Sequence, residues 1–429
     1  VNMILEYSVT NTFSIKDTQS ISFEAVLSNE SDSYHIKNIG DKRILKTACI
    51  YGANAAGKTN MVTSLMFYLD FILTSFTDLK PDESTHFIPF LFDKKTSTQP
   101  GFFSIIFFAP DFSDETNLIK YEYSITLNKN EVLEEVLYYS PKGQKKLIFE
   151  RKKDIPVKWG STITGAKKII ADATRPNCSL IGAGAQVNHP VFSSIYKHFS
   201  TRVKPMIMPA HDGLSDFILR KIEKDDSFKN KVIGLLEASD FGSISDIIIE
   251  SHEIPDTVLK ILPKEVQDEI AKKGEKPTRR DTKFVHHYDN DYELPIYFES
   301  AGTKRMLELT LPLIELANSS VLMIDEIESS LHQSLLETFL QLFLEISDDS
   351  QLLFTTHNLD LLDSDLLRDD EIWFCFKTDK GNSIYNSITD YKGIRKEASR
   401  KKLYMADKFG ALPIIDMQKL KGLFNAKKN

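Results

Sequence analysis

One segment in the first part of the chain has the residue types and spacing of a phosphate-binding loop. Residues 52–59 match the pattern G-x-x-x-x-G-K-[ST]. The glycines allow backbone N–H groups to close around phosphate oxygens, and a helix that begins at Thr59 adds the positive end of its dipole. Lys58 would reach the β- and γ-phosphates, and the Thr59 hydroxyl would ligate Mg²⁺. The residues assigned to phosphate and nucleotide binding are Gly52, Ala53, Asn54, Ala55, Ala56, Gly57, Lys58, Thr59 and Asn60.

An apolar strand that ends in two carboxylates lies far downstream. Residues 321–324 are Val-Leu-Met-Ile, and Asp325 and Glu326 follow directly. One carboxylate can hold Mg²⁺, and the next can orient or deprotonate the water that attacks a γ-phosphate. Many strands end in acidic residues, so the pair is informative only together with the phosphate loop. In that combination Asp325 is a predicted metal ligand, as is Thr59, and Glu326 is a predicted catalytic base. The adjacent acids indicate hydrolysis rather than binding alone.

Two further groups allow more than one interpretation. Ser300 and Gly302 precede a helical segment, where they could form a second anion site, or where Ser300 or Thr303 could simply cap the helix. His357 follows an apolar strand, and at the carboxyl end of a parallel strand it would face a nucleotide crevice. A single histidine is more often an ordinary surface or core residue. Taken alone, each group favours the ordinary interpretation.

The periodicity of the chain indicates which elements position these residues. Residues 48–51 are a buried-strand candidate, and apolar residues between 61 and 76 recur at helical spacing, which predicts strand, glycine-rich turn and helix. Residues 85–155 have the pattern of β structure, whereas residues 190–285 are mostly helical in pattern. Residues 295–390 alternate strands with helices, which predicts a buried parallel sheet. The strands predicted there are 296–298, 321–324, 352–355 and 372–376, and the helices are 303–317, 331–346 and 359–367.

The composition is that of an ordinary globular protein, with 429 residues and a formal net charge of −8. That charge excludes a basic footprint for nucleic acid over the whole chain. Cys49, Cys178 and Cys375 are far apart, which argues against a disulfide framework or a zinc site and fits a reducing cytosol. The most apolar stretches are shorter than the ~20 residues of a membrane-spanning helix, and no secretory signal is recognisable. We therefore expect a cytoplasmic protein without a membrane partner.

The order of the motifs resembles that of ABC-type ATPases. The phosphate loop comes first, followed by the segment around Ser300, the acidic strand end and His357. The chain resembles the ATPase heads of SMC and Rad50-like proteins and, more closely, the AAA15/AAA21-type ATP-binding proteins of phage-defence loci. The stretches that resemble this family are 13–17, 240–242, 299–304, 355–358, 371–374 and 408–413.

The resemblance implies an α/β fold, the ABC ATPase head, in which a mixed β lobe and a parallel-sheet P-loop core carry a helical insertion subdomain. The corresponding N-terminal ATPase lobe, with Walker A and the β subdomain, is residues 1–185. Residues 186–292 would be the mainly helical insertion, and residues 293–429 the C-terminal lobe with the signature, Walker B, D-loop and switch histidine. This arrangement is similar to a Rad50-like head whose long coiled coil is replaced by a short helical subdomain.

The resemblance also implies a role for each motif. Asp325 would be the Walker B magnesium carboxylate, Glu326 the catalytic glutamate, and His357 the switch residue that contacts the γ-phosphate. Ser300 and Gly302 would belong to the signature loop, which here reads Glu-Ser-Ala-Gly-Thr instead of the LSGGQ-like pattern. The serine and the second glycine are retained, so phosphate recognition is expected. The implied D-loop residues are Ser329, Leu331 and His332.

The activity implied by the resemblance is ATP hydrolysis with ATP and Mg²⁺ as cofactors. Two copies would bind two ATP molecules, each between Walker A and B of one copy and the signature loop of the other. The expected partners are a separate effector, a TOPRIM-type nuclease, and a phage-encoded trigger protein, as in PARIS-like or abortive-infection defence. The alternatives are a DNA-repair or chromosome-associated ATPase that acts directly on DNA, and an ATP-dependent scaffold with slow turnover.

Two basic clusters bear on the DNA alternative. Each could contact DNA phosphates or the acidic surface of a partner, or could be a solvated face that nearby acids neutralise. A solvated face is the more common situation. The clusters are Lys272, Lys273, Lys276, Arg279, Arg280 and Lys283, and Lys392, Arg395, Lys396, Arg400, Lys401 and Lys402.

Overall fold

The computed structural model describes residues 3–26, 34–204, 206–208, 216–239, 241–261, 263–264, 267, 278–315, 320–394, 398–413 and 416–425. The chain divides into two compact units. The first comprises residues 1–208, 316–328 and 340–429, and the second comprises residues 209–315 and 329–339.

The described part contains strands β1 to β17 and helices α1 to α11, numbered in chain order. The strands are Met3–Thr10, Gln19–Ser22, Ile36–Ile39, Lys42–Leu45, Thr47–Gly52, Gly101–Asp111, Asp114–Leu127, Val132–Ser140, Lys146–Lys152, Ile155–Trp159, Ile244–Glu253, Thr278–His287, Asp291–Pro295, Val321–Ile324, Gln351–Thr355, Ile372–Lys377 and Ser383–Ser387. The helices are Lys58–Asp78, Lys167–Ala173, Leu180–Gln186, Pro190–Arg202, Asp216–Lys224, Asp226–Ala238, Asp256–Leu259, Ala301–Glu315, Gln333–Ile346, Arg400–Met405 and Met417–Asn425.

A seven-stranded antiparallel sheet forms the β lobe of the first unit, in the order β10-β9-β8-β7-β6-β1-β2. Alternate side chains of β7 are buried, which is the period-two pattern of a sheet with one face on the core. The long helix α1 packs on this face through Tyr68, whose ring stacks 5.7 Å from that of Phe103. The Tyr68 hydroxyl donates a hydrogen bond to the carbonyl of Tyr123 at 2.9 Å. The helix that follows the phosphate loop is thereby anchored to the β lobe.

A five-stranded sheet in the order β14-β15-β5-β16-β17 forms the second layer of this unit. The first four strands are parallel, and β17 returns antiparallel to β16. Every residue of β5, β14 and β15 is buried, as a parallel sheet requires. The carboxyl ends of β14, β15, β5 and β16 therefore meet along one edge. The predicted α/β class, with a mixed β lobe and a parallel P-loop core, is confirmed.

The second unit packs helices on a three-stranded antiparallel sheet in the order β11-β12-β13. Ile247 and Phe284 of the sheet share a core with Phe228 and Leu236 of α6 and with Leu307 of α8. The helices agree with the pattern of residues 190–285, but the sheet was not predicted. Its strands carry charged residues on their open face, so their apolar periodicity is short and weak.

Two predicted elements take a different form. Residues 296–298, predicted as a strand, form a single 3₁₀ turn, because Pro295 precedes them and Tyr297 and Phe298 are exposed rather than paired. Residues 359–367, predicted as a helix, contain only the 3₁₀ turn Leu361–Asp363. There the side-chain oxygen of Asn358 accepts hydrogen bonds from the backbone N–H groups that follow it, which favours a turn over a helix.

Among the described residues, no helix combines the length and the apolar character needed to cross a bilayer.

A buried ion pair in the β lobe gives a prediction about stability. The Glu135 carboxylate has no exposure and accepts hydrogen bonds from the Tyr123 hydroxyl at 2.6 Å, the Leu180 N–H at 2.9 Å and Arg151 Nη1 at 3.1 Å. We expect Arg151→Ala to lower the free energy of unfolding by about 3 kcal/mol, because the carboxylate stays buried without its countercharge. Urea denaturation measures the loss. Lys153→Ala, which removes an exposed ion pair, is the matched control and should cost less than about 1 kcal/mol.

Candidate active site

Two positions in the phosphate loop have no room for a side chain, so only glycine fits there. The loop leaves the buried strand β5 at Gly52, and α1 begins at Lys58. A Cβ at Gly52 would lie 2.2 Å from the carbonyl oxygen of Cys375 on the neighbouring strand. At Gly57, φ is +113°, and a Cβ would lie 2.1 Å from Ser383 Oγ and 2.6 Å from Ser14 Oγ. The two glycines of the motif are thus required by packing as well as by the loop conformation.

Three side chains that the sequence analysis did not select hold the loop in place. The Ser383 hydroxyl donates to the carbonyl of Ala56, and the Tyr385 hydroxyl donates to the carbonyl of Gly57, each at 2.5 Å. Ser14 Oγ lies 2.7 Å from Ser383 Oγ and accepts a hydrogen bond from the Asn60 amide at the same distance. Ser14 lies in a family-like stretch of the sequence, which was a usable signal. Nothing in the local sequence pointed to β17.

Gly57→Ala is a direct test of this packing. We expect it to weaken MgATP binding at least about tenfold, because the methyl group would force the loop away from Ser383 and Ser14 and would strain a positive-φ backbone. Isothermal titration calorimetry measures the change. Gly40→Ala is the matched control, since Gly40 also has a positive φ, +60°, but no atom lies within 4 Å of its Cβ position. Unchanged binding by Gly57→Ala would contradict the proposed loop geometry.

The Lys58 ammonium lies among loop carbonyls and beside His357. Its Nζ donates to the carbonyls of Gly52 at 3.1 Å and Ala53 at 3.2 Å, and lies 2.8 Å from His357 Nε2. Burial lowers the pKa of Lys58. Burial, and then the Lys58 charge, lower the pKa of His357, so a neutral imidazole accepts the hydrogen bond from the ammonium. The structure therefore brings together the predicted loop lysine and the predicted switch histidine.

The buried Asp325 carboxylate connects the acidic strand end to the phosphate loop. It accepts hydrogen bonds from the Thr59 hydroxyl at 2.9 and 3.0 Å and from the Thr355 hydroxyl at 2.6 Å. The same Thr355 oxygen accepts the backbone N–H of Glu326 at 2.8 Å. Thr355 was not selected from the sequence, although it ends the strand that precedes His357. The two predicted metal ligands are thus adjacent in space.

The oxygens of Thr59 and Asp325 fit a magnesium ion whose remaining ligands come from water and a bound phosphate. Mg²⁺ prefers oxygen and usually keeps several waters beside one or two protein oxygens and substrate phosphates. The Thr59 hydroxyl and the Asp325 carboxylate supply two such oxygens within hydrogen-bond distance of each other. Within the described ranges, no group of three or more His, Cys, Asp or Glu side chains could hold a metal by itself. The fit is therefore to a metal that arrives with a phosphate ligand.

The acidic segment is strained at Glu326 and tied to β15 through Glu328. Glu326 has a φ of +43°, a left-handed conformation that is unfavourable for glutamate and concentrates at functional sites. Glu328 Oε1 accepts the backbone N–H of His357 at 2.5 Å. Glu328 was not a predicted site residue, although it lies two residues beyond the acidic pair. The segment thus holds the backbone of the histidine as well as the two predicted carboxylates.

The signature residues lie in the second unit. Ser300 Oγ accepts the backbone N–H of Thr303 at 3.0 Å and lies 2.8 Å from the Thr303 hydroxyl, which is an N-cap of α8. A Cβ at Gly302 would lie 3.1 Å from the carbonyl oxygen of Ser330, so the start of α8 and the D-loop segment approach closely. The capping interpretation is observed. Phosphate recognition by Ser300 and Gly302 stays a prediction.

The basic clusters are largely neutralised where the structure describes them. Arg280 pairs with Glu223 at 3.0 Å, and Arg400 pairs with Asp369 at 2.7 Å. Further pairs join Arg279 to Asp281, Lys283 to Glu293 and Lys401 to Asp360. Lys272, Lys273, Lys276, Arg395 and Lys396 lie outside the described residues. These pairs favour a solvated face over a DNA-binding face.

Comparisons with known proteins bear on this geometry. No curated protein matches the chain significantly. Among solved structures, the chain is similar to a crystal structure of the Smc head bound to the C-winged helix domain of ScpA, at 12% identity and a TM-score of 0.41, over 90% of this chain and 99% of that chain. The SMC head domain from Thermotoga maritima is 12% identical, with a TM-score of 0.40, over 90% and 98%.

A third similar structure is the Smc head domain with an extended coiled coil bound to the C-terminal domain of ScpA, from Pyrococcus furiosus. It is 12% identical, with a TM-score of 0.41, over 96% of this chain and 100% of that chain. At these TM-scores the backbones overlap only in part.

The family comparison covers more than half of the chain. Residues 48–363 match the model of the AAA_21 family, described as "AAA domain, putative AbiEii toxin, Type IV TA system". The matched range includes the phosphate loop, the signature segment, the acidic strand end and His357. Together with the P-loop core and the contact between Thr59 and Asp325, this match confirms the family expected from the order of the motifs. The chain belongs to the AAA_21 family.

Proposed function

We propose that this chain is a Mg²⁺-dependent ATPase that dimerises around ATP and couples hydrolysis to the control of a separate effector in anti-phage defence. The observation that carries the hydrolytic part is the chain of hydrogen bonds from Thr59 to Asp325 to Thr355 to the backbone of Glu326. It supports a site in which the phosphate loop, a metal-binding carboxylate and a second acid act on one phosphate group.

Each residue of the site has a distinct part in the proposed reaction. The loop N–H groups and Lys58 hold the β- and γ-phosphates, while Thr59 and Asp325 hold Mg²⁺, which supplies charge neutralisation on the phosphate oxygens when bound. Glu326 orients the attacking water and accepts its proton. His357 contacts the γ-phosphate, with its backbone held by Glu328.

The γ-phosphate would also join two copies. In the proposed dimer, Ser300 and Gly302 of one copy complete the phosphate site of the other, so ATP binding closes the dimer and hydrolysis loosens it. Loss of a phosphate that is held from both sides is a sufficient switch, because the contacts to it exist in only one state. The position of Ser300 and Gly302 at the N-terminus of α8 supports this role, since the dipole of a helix favours an anion at that end.

The defence role rests on the family, whose description includes a putative AbiEii toxin and a type IV toxin–antitoxin system. The proposed partners are a TOPRIM-type nuclease as effector and a phage-encoded trigger, in the cytoplasm. The test is to purify the tagged chain from cells that also express the products of the neighbouring genes. A co-purifying nuclease would support the proposal.

The DNA alternative predicts a different result. A chain that acts directly on DNA would bind duplex DNA in a salt-dependent manner and would hydrolyse ATP faster when DNA is present. Salt-dependent binding together with DNA-stimulated hydrolysis, and without any co-purifying effector, would overturn the defence role while leaving the ATPase intact.

A further inference from the structure

The strand order of the five-stranded sheet gives a direction to a bound triphosphate. Asp325 follows β14, His357 follows β15 shortly after its end, and the phosphate loop follows β5, so these groups occur in sequence along one sheet edge. Asp325, Glu326 and His357, which are proposed to act on the γ-phosphate or its metal, follow β14 and β15 and so lie on that side of the loop. The rest of a nucleotide held by this loop would then extend toward β16 and β17, on the other side.

A cavity of about 490 Å³ is lined in part by residues close in sequence to Ser14 and Ser383, the two serines that approach the loop. That volume is within the usual range for small-molecule sites. The residues that line it include Lys16, Phe92, Asp93, Lys377, Lys380 and Gly381. Lys16 is two residues beyond Ser14, and Gly381 is two residues before Ser383, and these two serines are the side chains that approach Gly57. The two segments that line the cavity therefore also approach the loop.

The cavity presents an aromatic ring in a fixed orientation. Phe92 is 71% exposed, which is unusual for so large an apolar side chain, yet its ring contacts both the β16–β17 turn and a buried neighbour. A Cβ at Gly381 would lie 3.1 Å from the ring, and the ring of the buried Phe90 meets it edge-on at 5.7 Å. An exposed ring that is held by its neighbours offers one face for stacking at little cost in conformational entropy.

The charges around the ring suit a nucleoside. Lys377 Nζ lies 5.8 Å from the centre of the Phe92 ring, and Lys16 Nζ pairs with Asp93 Oδ2 at 2.7 Å. Lysine ammonium groups favour both the face of a base and the nearby α-phosphate, while a carboxylate can accept hydrogen bonds from ribose hydroxyls or an exocyclic amine.

We propose that this cavity binds the purine base and ribose of the nucleotide whose phosphates lie in the loop, with the base stacked on Phe92. This inference deepens the proposed function and rests on it. It makes Phe92 a specificity-determining residue, distinct from the groups that act on the phosphates.

The test compares MgATP with magnesium tripolyphosphate, which has phosphates but no base, by isothermal titration calorimetry. We expect Phe92→Ala to weaken MgATP binding about tenfold, the loss typical of one base–aromatic stacking contact, and to leave tripolyphosphate binding unchanged. Tyr34→Ala removes another exposed aromatic side chain of the same unit and is the matched control, with no expected effect on either probe.

The possible outcomes separate this inference from the proposed function. If Phe92→Ala binds MgATP as tightly as the unmodified protein, or loses both probes equally, the base site is overturned while the loop assignment stands. If the unmodified protein binds neither probe, the proposed function fails, and the base site fails with it. Phe92 is exposed, so the variant should fold, and a thermal melt that matches the parent excludes a general loss of structure.

Discussion

Replacement of Lys58 by alanine is expected to raise the Kd for MgATP about a hundredfold or more. The ammonium lies within hydrogen-bond distance of the carbonyls of Gly52 and Ala53. In the bound state it would exchange these partners for the β- and γ-phosphates. Hydrogen bonds between charged groups contribute about 1.5–3 kcal/mol each, so the loss of two of them accounts for that factor.

Isothermal titration calorimetry with MgATP measures this loss, and a urea melt shows whether the variant folds. Lys146→Ala, an exposed lysine on β9 of the same unit, is the charge-matched control and should bind MgATP normally. A Lys58→Ala protein that folds and retains its affinity would show that residues 52–59 do not bind the triphosphate.

Replacement of Glu326 by glutamine should separate binding from hydrolysis. We expect MgATP to bind with nearly unchanged affinity, while the turnover number falls about 10²–10⁴-fold, the usual contribution of a general base. Glutamine keeps the shape of the side chain and the backbone N–H that donates to Thr355, but it cannot accept a proton from water. The strained φ of +43° at this position also stays the same, so the geometry of the acidic segment is retained.

A phosphate-release assay at saturating MgATP gives the turnover number. Glu345→Gln, on the exposed side of α9, removes one carboxylate from the same part of the chain and should leave turnover unchanged. Undiminished hydrolysis by Glu326→Gln would refute the assignment of Glu326 as the catalytic base. Glu328, two residues further on, would then be the next candidate for the base.

The sequence predicted those parts of the site whose residues are consecutive in the chain. Residues 52–59 and the pair Asp325-Glu326 each follow a buried strand, so a local pattern states both the chemistry and the element that positions it. His357 could be placed at a strand end in the same way. Its contact with Lys58 depends on the pairing of β15 with β5 and was not available from the local pattern.

The parts that the sequence missed depend on pairing between distant strands. Ser14, Ser383 and Tyr385 contact the loop or its neighbours only because the N-terminal segment and β17 lie beside it in the folded unit. Hydroxyl side chains in a turn, such as Ser14, or on a short strand, such as Ser383 and Tyr385, form no periodic pattern that would single them out. The three-stranded sheet of the second unit was missed for a related reason, since one face of its strands is charged and resembles a solvated helix in composition.

The central claim is that ATP completes a joint between two copies of this chain, and light scattering on the Glu326→Gln protein measures it most directly. We predict the mass of one chain without nucleotide, the mass of two with MgATP, and one again for a Glu326→Gln, Lys58→Ala double variant. A Glu326→Gln protein that binds MgATP by calorimetry yet keeps the mass of a single chain would contradict the claim.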